Sequence, residues 1–136
     1  MIEKNPKSET LNSKQIQSTK KQNSKQYDLE DRTLRFAKDV IMFVKSVPKN
    51  LSNIEIVKQL IRSSTSVGAN YIEANESLSK KDFLMRIKIC RKEAKESIYW
   101  LKLIETKTED ENKKTILIRE ATELMKIFGS IVVKTE

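Results

Sequence analysis

Three carboxylates, Glu73, Glu93 and Glu96, and three guanidinium groups, Arg62, Arg86 and Arg91, recur at helical spacing through the middle of the chain. Paired carboxylates can work as general acid and base, and helical bundles build di-metal sites from Glu together with Glu-x-x-His. Histidine is absent from the 136 residues, which removes the commonest general base and the commonest transition-metal ligand at once. Cys90 is the single cysteine, so a structural zinc site and a disulfide framework are both excluded, and a reducing cytoplasm fits. No Gly-rich phosphate loop and no nucleophile motif occurs. The expectation is therefore a non-enzymatic protein without cofactor or metal. Its carboxylates and arginines would form ion pairs at a subunit contact, where they fix geometry more than they add stability.

The second chemistry within reach is phosphate binding. Lys88, Lys92, Lys95 and Lys102 fall within about 80° of one another on a helix turning 100° per residue, and Arg91 borders them. Lys80 and Lys81 begin the same segment, and the chain carries a net charge of +8 with a pI near 9.5. A basic stripe on such a chain is an electrostatic footprint for an RNA or DNA backbone. The competing reading is a solvated lysine face interlaced with glutamate, as at Lys92 and Glu96, four residues apart. No recognition motif and no stacking platform is visible, so binding would be independent of base sequence.

The elements that must carry these residues are helical. Two glycines and two prolines in 136 residues are too few for an all-β protein, and Lys, Glu, Ile and Leu favour helix. Residues 1–26 have no aromatic side chain and six Lys against two Glu. Such a segment cannot bury enough surface to offset its ordering entropy, and reads as a disordered basic arm. It has no apolar core of a signal peptide, and the longest clean apolar run, Val40–Val44, is far too short to span a bilayer.

Residues 27–136 show four amphipathic segments. The first is expected from about Leu29 to Val47, capped by Asp28 and ended near Pro48, with Phe36, Ala37, Val40, Ile41, Phe43, Val44 and Val47 inward. The second runs from about Ser52 or Asn53 to Leu78, with Val57, Leu60, Ile61, Ser64, Val67, Gly68, Tyr71 and Leu78 on its core face. The third runs from Lys80 to Ile104 after a Ser79 cap, along Phe83, Ile87, Cys90, Ala94, Ile98 and Leu101. The fourth runs from Asn112 to Val133 along Leu117, Ala121, Leu124, Phe128 and Ile131. Short polar connections favour antiparallel neighbours, giving an all-α, up-down-up-down antiparallel four-helix bundle.

Two of these helices have a second face. The stretch RSSTSVGANYIEANE, Arg62 to Glu76, is thinned to small residues on every side, including the face of Arg62, Ser66, Ala69 and Glu73, with Asn70 at its edge. Water alone would favour Lys, Glu or Gln there, whereas a close backbone requires smallness. On the third helix Ile89, Trp100 and Leu103 lie off the core face, interspersed with Glu93 and Glu96. An apolar stripe away from the core marks a contact surface. Both faces are expected to meet further copies of the chain.

The runs DLEDRTLRFAKDVIMFVKSVP, QLIRSSTSVGANYIEA, FLMRIKICRKEAKESIYWLKLI and EATELMKIFGSIV, spanning Asp28 to Val133, resemble the proteins named after intervening sequences in 23S rRNA genes. The resemblance covers Arg62, Ser66, Asn70 and Glu73 on the second helix and Arg91, Glu93, Glu96, Tyr99, Trp100 and Leu101 on the third. Many such proteins read Asn-Ile-Ala-Glu-Gly where this chain has Asn70-Tyr71-Ile72-Glu73-Ala74, which points to a sub-branch. The resemblance implies an up-down bundle assembled as a homopentamer and assigns no catalytic residue. A related branch, the accessory variability proteins of diversity-generating retroelements, implies nucleic-acid binding and a reverse transcriptase as partner.

Overall fold

The computed structural model describes the backbone of residues 13–136 and the side chains of residues 29–136. The arm expected over residues 1–26 lies outside the residues whose side chains are described. Four helices follow in order: α1 (Ser13–Val44), α2 (Leu51–Asn75), α3 (Lys80–Leu103) and α4 (Glu111–Thr135), with a 3-10 turn at Thr108–Asp110 before α4. Residues 33–136 form one compact unit, an up-down-up-down bundle in which α3 packs between α2 and α4. No described helix is long and apolar enough to cross a membrane.

Helix ends follow local chemistry. The Asn50 side chain accepts from the amide of Asn53 at 2.9 Å and caps α2. The Ser79 hydroxyl accepts from the amide of Asp82 at 3.0 Å and caps α3, as expected from its position. Each cap satisfies one of the amides a helix start leaves without a partner. Other boundaries differ from the periodicity. Asp28 lies inside α1 instead of at its start, and α1 stops at Val44, before Val47 and Pro48. Helix α2 stops at Asn75, so Leu78 falls in the turn and is 99% exposed instead of facing the core. In α4 the fully inward residue near the end is Val132, with its neighbour Ile131 half-buried.

Ile41, expected inward on α1, is exposed, because it sits at the edge of the stripe formed by Phe36, Val40 and Phe43. The rest of the core follows the apolar spacing closely. Phe36, Val40, Phe43, Leu60, Val67, Ile87, Leu101, Leu124 and Phe128 are all buried. Tyr71 and Phe128 meet across the bundle at a ring separation of 5.7 Å, tilted by 54°, within the range aromatic pairs favour. Cys90 is buried at the centre of α3, and the lack of water around it pushes its thiol up to about 12. It is a small apolar residue here and has no reactive thiolate.

The thin stretch of α2 is explained by packing on two flanks. On one side a Cβ at Gly68 would stand 2.9 Å from Thr33 Oγ1 and 3.2 Å from Thr33 Cβ, so α1 approaches to the limit of contact. On the other side the Ser63 and Ser97 hydroxyls share a hydrogen bond of 2.8 Å in the buried α2–α3 seam. Whichever hydroxyl accepts that bond donates its own proton to its helix, Ser63 to Leu60 O or Ser97 to Glu93 O. Hydroxyls that return to their own helix can line a dry seam without leaving a polar group unpaired. Ser64, between these flanks, is buried as well.

One end of the bundle is tied by a buried asparagine. Asn53 Nδ2 donates to Pro48 O at 2.8 Å and to Glu105 O at 2.9 Å, and its Oδ1 accepts from the Glu105 amide at 2.9 Å. A single side chain thereby joins the α1–α2 turn to the α3–α4 connection.

Gly68→Ala tests the close approach. Alanine improves helix propensity by about 1 kcal/mol, but overpacking against a β-branched neighbour costs about 1–3 kcal/mol. A net loss of about 1 kcal/mol in urea unfolding at matched protein concentration is expected. The loss should shrink in a Thr33→Ala background, where the Oγ1 obstacle is gone.

Candidate subunit contact and nucleic-acid interface

Two surfaces carry the candidate residues, and both are built on α3. Helix α3 presents one side to α2, one to α4 and one outward. The α2 side carries the charged network. Arg62 Nη1 donates to Glu93 Oε1 at 3.2 Å, and Arg62 Nη2 donates to Glu96 Oε2. Trp100 Nε1 donates to the same Glu96 oxygen at 3.0 Å. Farther along the seam, Arg86 Nη1 donates to Asn70 Oδ1 at 2.9 Å, while Asn70 Nδ2 donates to Ser66 O. The ion pairs expected at a subunit contact thus form within one chain. Glu73 makes no ion pair among the described residues, and Arg91 leans the other way, its Nε 3.7 Å from where a Cβ of Gly129 on α4 would sit.

Electrostatics in the network follow from these contacts. Partial burial alone would raise the Glu96 carboxyl, but the Trp100 hydrogen bond and Arg62 outweigh it and hold the carboxyl below its ordinary value. Partial burial alone would lower Arg62, but its bonds to Glu96 and Glu93 outweigh that and raise it further. The network ties α2 to α3 through Arg62 and its two carboxylate partners.

All nine residues expected at a subunit contact line the outer edges of the α2–α3 groove. Arg62, Ser66, Ala69, Asn70 and Glu73 are on the α2 bank, and Ile89, Glu96, Trp100 and Leu103 are on the α3 bank. Ala69, Glu73 and Leu103 are exposed, and Ser66, Ile89 and Trp100 are half-buried. Exposed Met85 continues the α3 bank. Periodicity gives no second apolar flank, and places Ile41 in the core instead. Leu34 and Ile41 of α1 and Ile54 and Ile72 of α2 remain exposed on the far side of the Thr33–Gly68 contact. The seven-residue spacing of Leu34 and Ile41 was the available signal.

The outward side of α3 holds the basic stripe. Lys88, Lys92, Lys95 and Lys102 are all exposed, and exposed Arg91 borders them toward α4. Lys80, Lys81 and Lys88 rim a shallow depression floored by Leu84 and Met85. Lys88 Nζ lies 3.6 Å from Glu136 Oε2, and Lys92 Nζ lies 3.9 Å from Glu93 Oε2. Among the described residues Lys95 and Lys102 have no ion pair. Between them stands Tyr99, 58% exposed, an aromatic the sequence reading did not place in the stripe. The spacing Lys95, Tyr99, Lys102 was its signal.

Comparison with known proteins agrees with this architecture. Residues 25–130 match the family described as 23S rRNA-intervening sequence protein. Among solved structures, the chain is similar to a protein of unknown function from the S23 ribosomal protein family of Bacteroides thetaiotaomicron. The TM-score is 0.67 and the identity 32%, over 76% of this chain and 96% of that one. No curated protein matches it.

The Glu96 contacts predict a pH dependence. Because folding depresses this carboxyl, its contribution is full above the ordinary carboxylate range and fades as pH falls through the folded value. Glu96→Gln should lower stability by about 1 kcal/mol at neutral pH. The gap between variant and parent should close in acid, as urea midpoints measured from pH 7 down to pH 3 would show.

Proposed function

On the premise that this chain belongs to the 23S rRNA-intervening sequence protein family, we propose that it is a non-enzymatic, homo-oligomeric adaptor that binds nucleic-acid backbones through α3. The observation that carries this reading is the exposed row Lys88, Lys92, Lys95 and Lys102, bordered by Arg91, on a chain of net charge +8. Each lysine that meets a phosphate releases condensed counterions, so binding is driven by charge and is indifferent to base sequence. Copies in a ring repeat the row, and repeated weak contacts act together.

Self-association is supported by the groove residues and by the exposed apolar side chains. Ser66 and Ala69 leave the α2 bank low, while Ile89, Trp100 and Leu103 give the α3 bank apolar area. Polar groups already paired within the chain, such as Arg62 with Glu96 and Asn70 with Arg86, can be covered at small desolvation cost. A homopentamer is the assembly proposed. The scaffold reading, in which the charge serves solubility alone, draws support from the Lys88–Glu136 and Lys92–Glu93 ion pairs.

Light scattering on the purified protein should give about five times the 15.8 kDa chain mass, and a monomer at micromolar concentration would end the assembly reading. Ser66→Leu should break the oligomer more readily than Lys58→Leu, because Ser66 is half-buried in the groove whereas Lys58 is exposed.

The function itself is tested by mobility shift across a salt series. Replacing Lys88, Lys92, Lys95 and Lys102 by Gln preserves helix propensity and should leave the oligomer intact. The slope of log affinity against log salt should fall by about one unit per lost contact in each chain that touches the probe. Unchanged binding by the quadruple variant would favour the scaffold.

A further inference from the structure

The outward side of α3 contains a feature that a phosphate-binding row does not require. Tyr99 stands in the row with Lys95 one turn before it and Lys102 one turn after it, the two lysines about 10 Å apart along the helix at 1.5 Å per residue. The ring is 58% exposed. It is also held in place. Tyr99 packs edge-on against Trp100, with ring centroids 5.1 Å apart and planes at 70°. Trp100 is in turn fixed through Nε1 to Glu96, and Glu96 is fixed by Arg62 of α2. Three side chains from two helices therefore set the orientation of one exposed aromatic face. The two lysines beside it are the members of the row with no ion pair among the described residues, while Lys88 and Lys92 sit near carboxylates.

We propose that Tyr99 is a base-stacking platform flanked by the phosphate-binding Lys95 and Lys102, and that the preferred ligand of this surface is a single-stranded nucleic acid. The inference rests on the nucleic-acid reading above and deepens it. In a duplex the bases are stacked on one another and only the backbone and groove edges are offered, so an exposed tyrosine face has nothing to receive. A single strand presents unstacked bases, and an aromatic ring between cations receives a base while the cations hold the phosphates on either side. Every base has a π-face, so the platform remains indifferent to sequence. A fixed ring also loses little side-chain freedom on binding.

The test is fluorescence anisotropy with the full chain and three labelled probes of equal length: oligo(dT), a duplex, and an abasic strand of the same charge. Tyr99→Ala should weaken oligo(dT) binding roughly five- to a hundredfold and change duplex binding by less than about twofold. Tyr99→Phe should retain the parent affinity for oligo(dT), since the ring and not the hydroxyl does the stacking. The unaltered protein should bind the abasic strand as weakly as Tyr99→Ala binds oligo(dT), an arm that needs no variant to fold. Light scattering on each variant should show the parent mass. Equal loss on all three probes, an abasic strand bound as tightly as oligo(dT), or a changed oligomer in Tyr99→Phe would overturn the stacking assignment while leaving phosphate binding in place. Failure of the parent to bind any probe at low salt would overturn the nucleic-acid reading itself.

Discussion

The architecture depends on how closely α2 can lie against its two neighbours. Gly68 admits α1 to within contact of Thr33, and Ser63 meets Ser97 of α3 through a buried pair of hydroxyls. Larger side chains at either point would push the helices apart and open the core that Leu60, Val67 and Tyr71 fill from the same helix. The residues used are poor helix formers, and the tight packing they permit offsets that loss. Serines in the seam keep their hydroxyls satisfied by donating to backbone carbonyls of their own helix or to each other.

From that seam the order spreads outward to the surface. With α2 and α3 held close, Arg62 reaches Glu93 and Glu96, and Glu96 in turn receives Trp100 Nε1. Trp100 then backs Tyr99. The charged network is therefore a means of transmitting geometry from a buried contact to an exposed ring. The same neighbours that position Glu96 also stabilise its charge and hold its carboxyl below the ordinary value.

Helix α3 divides its circumference among three tasks. One side supplies core residues Ile87, Cys90, Ala94 and Leu101. A second joins α2 through Glu93, Glu96 and Ser97, and forms one bank of the groove with Ile89, Trp100 and Leu103. The outward side carries Lys88, Lys92, Lys95, Tyr99 and Lys102. The second and third sides adjoin without sharing residues.

By itself, the sequence determined the helices, the antiparallel bundle and most of the core. Apolar residues at three- and four-residue steps can be buried together only on a helix, and the connections are too short for anything but adjacent antiparallel neighbours. It also determined the lysine row, because positions on one helix follow from spacing alone. Leu78 escaped it, since periodicity continues past the point where a helix stops and α2 ends at Asn75. Which partners the small and charged residues would find was decided only by the tertiary structure. Ser63, absent from the core face that spacing gives for α2, is buried against Ser97, thirty-four positions along the chain. Arg62, expected to act between subunits, is engaged by Glu93 and Glu96 of its own chain. Asn53 gave no signal, because a polar residue near a helix start reads as a cap until the Glu105 backbone is brought beside it. Spacing fixes the angle at which a side chain leaves its helix. Only the packing of another helix at a particular height and distance decides what that side chain meets.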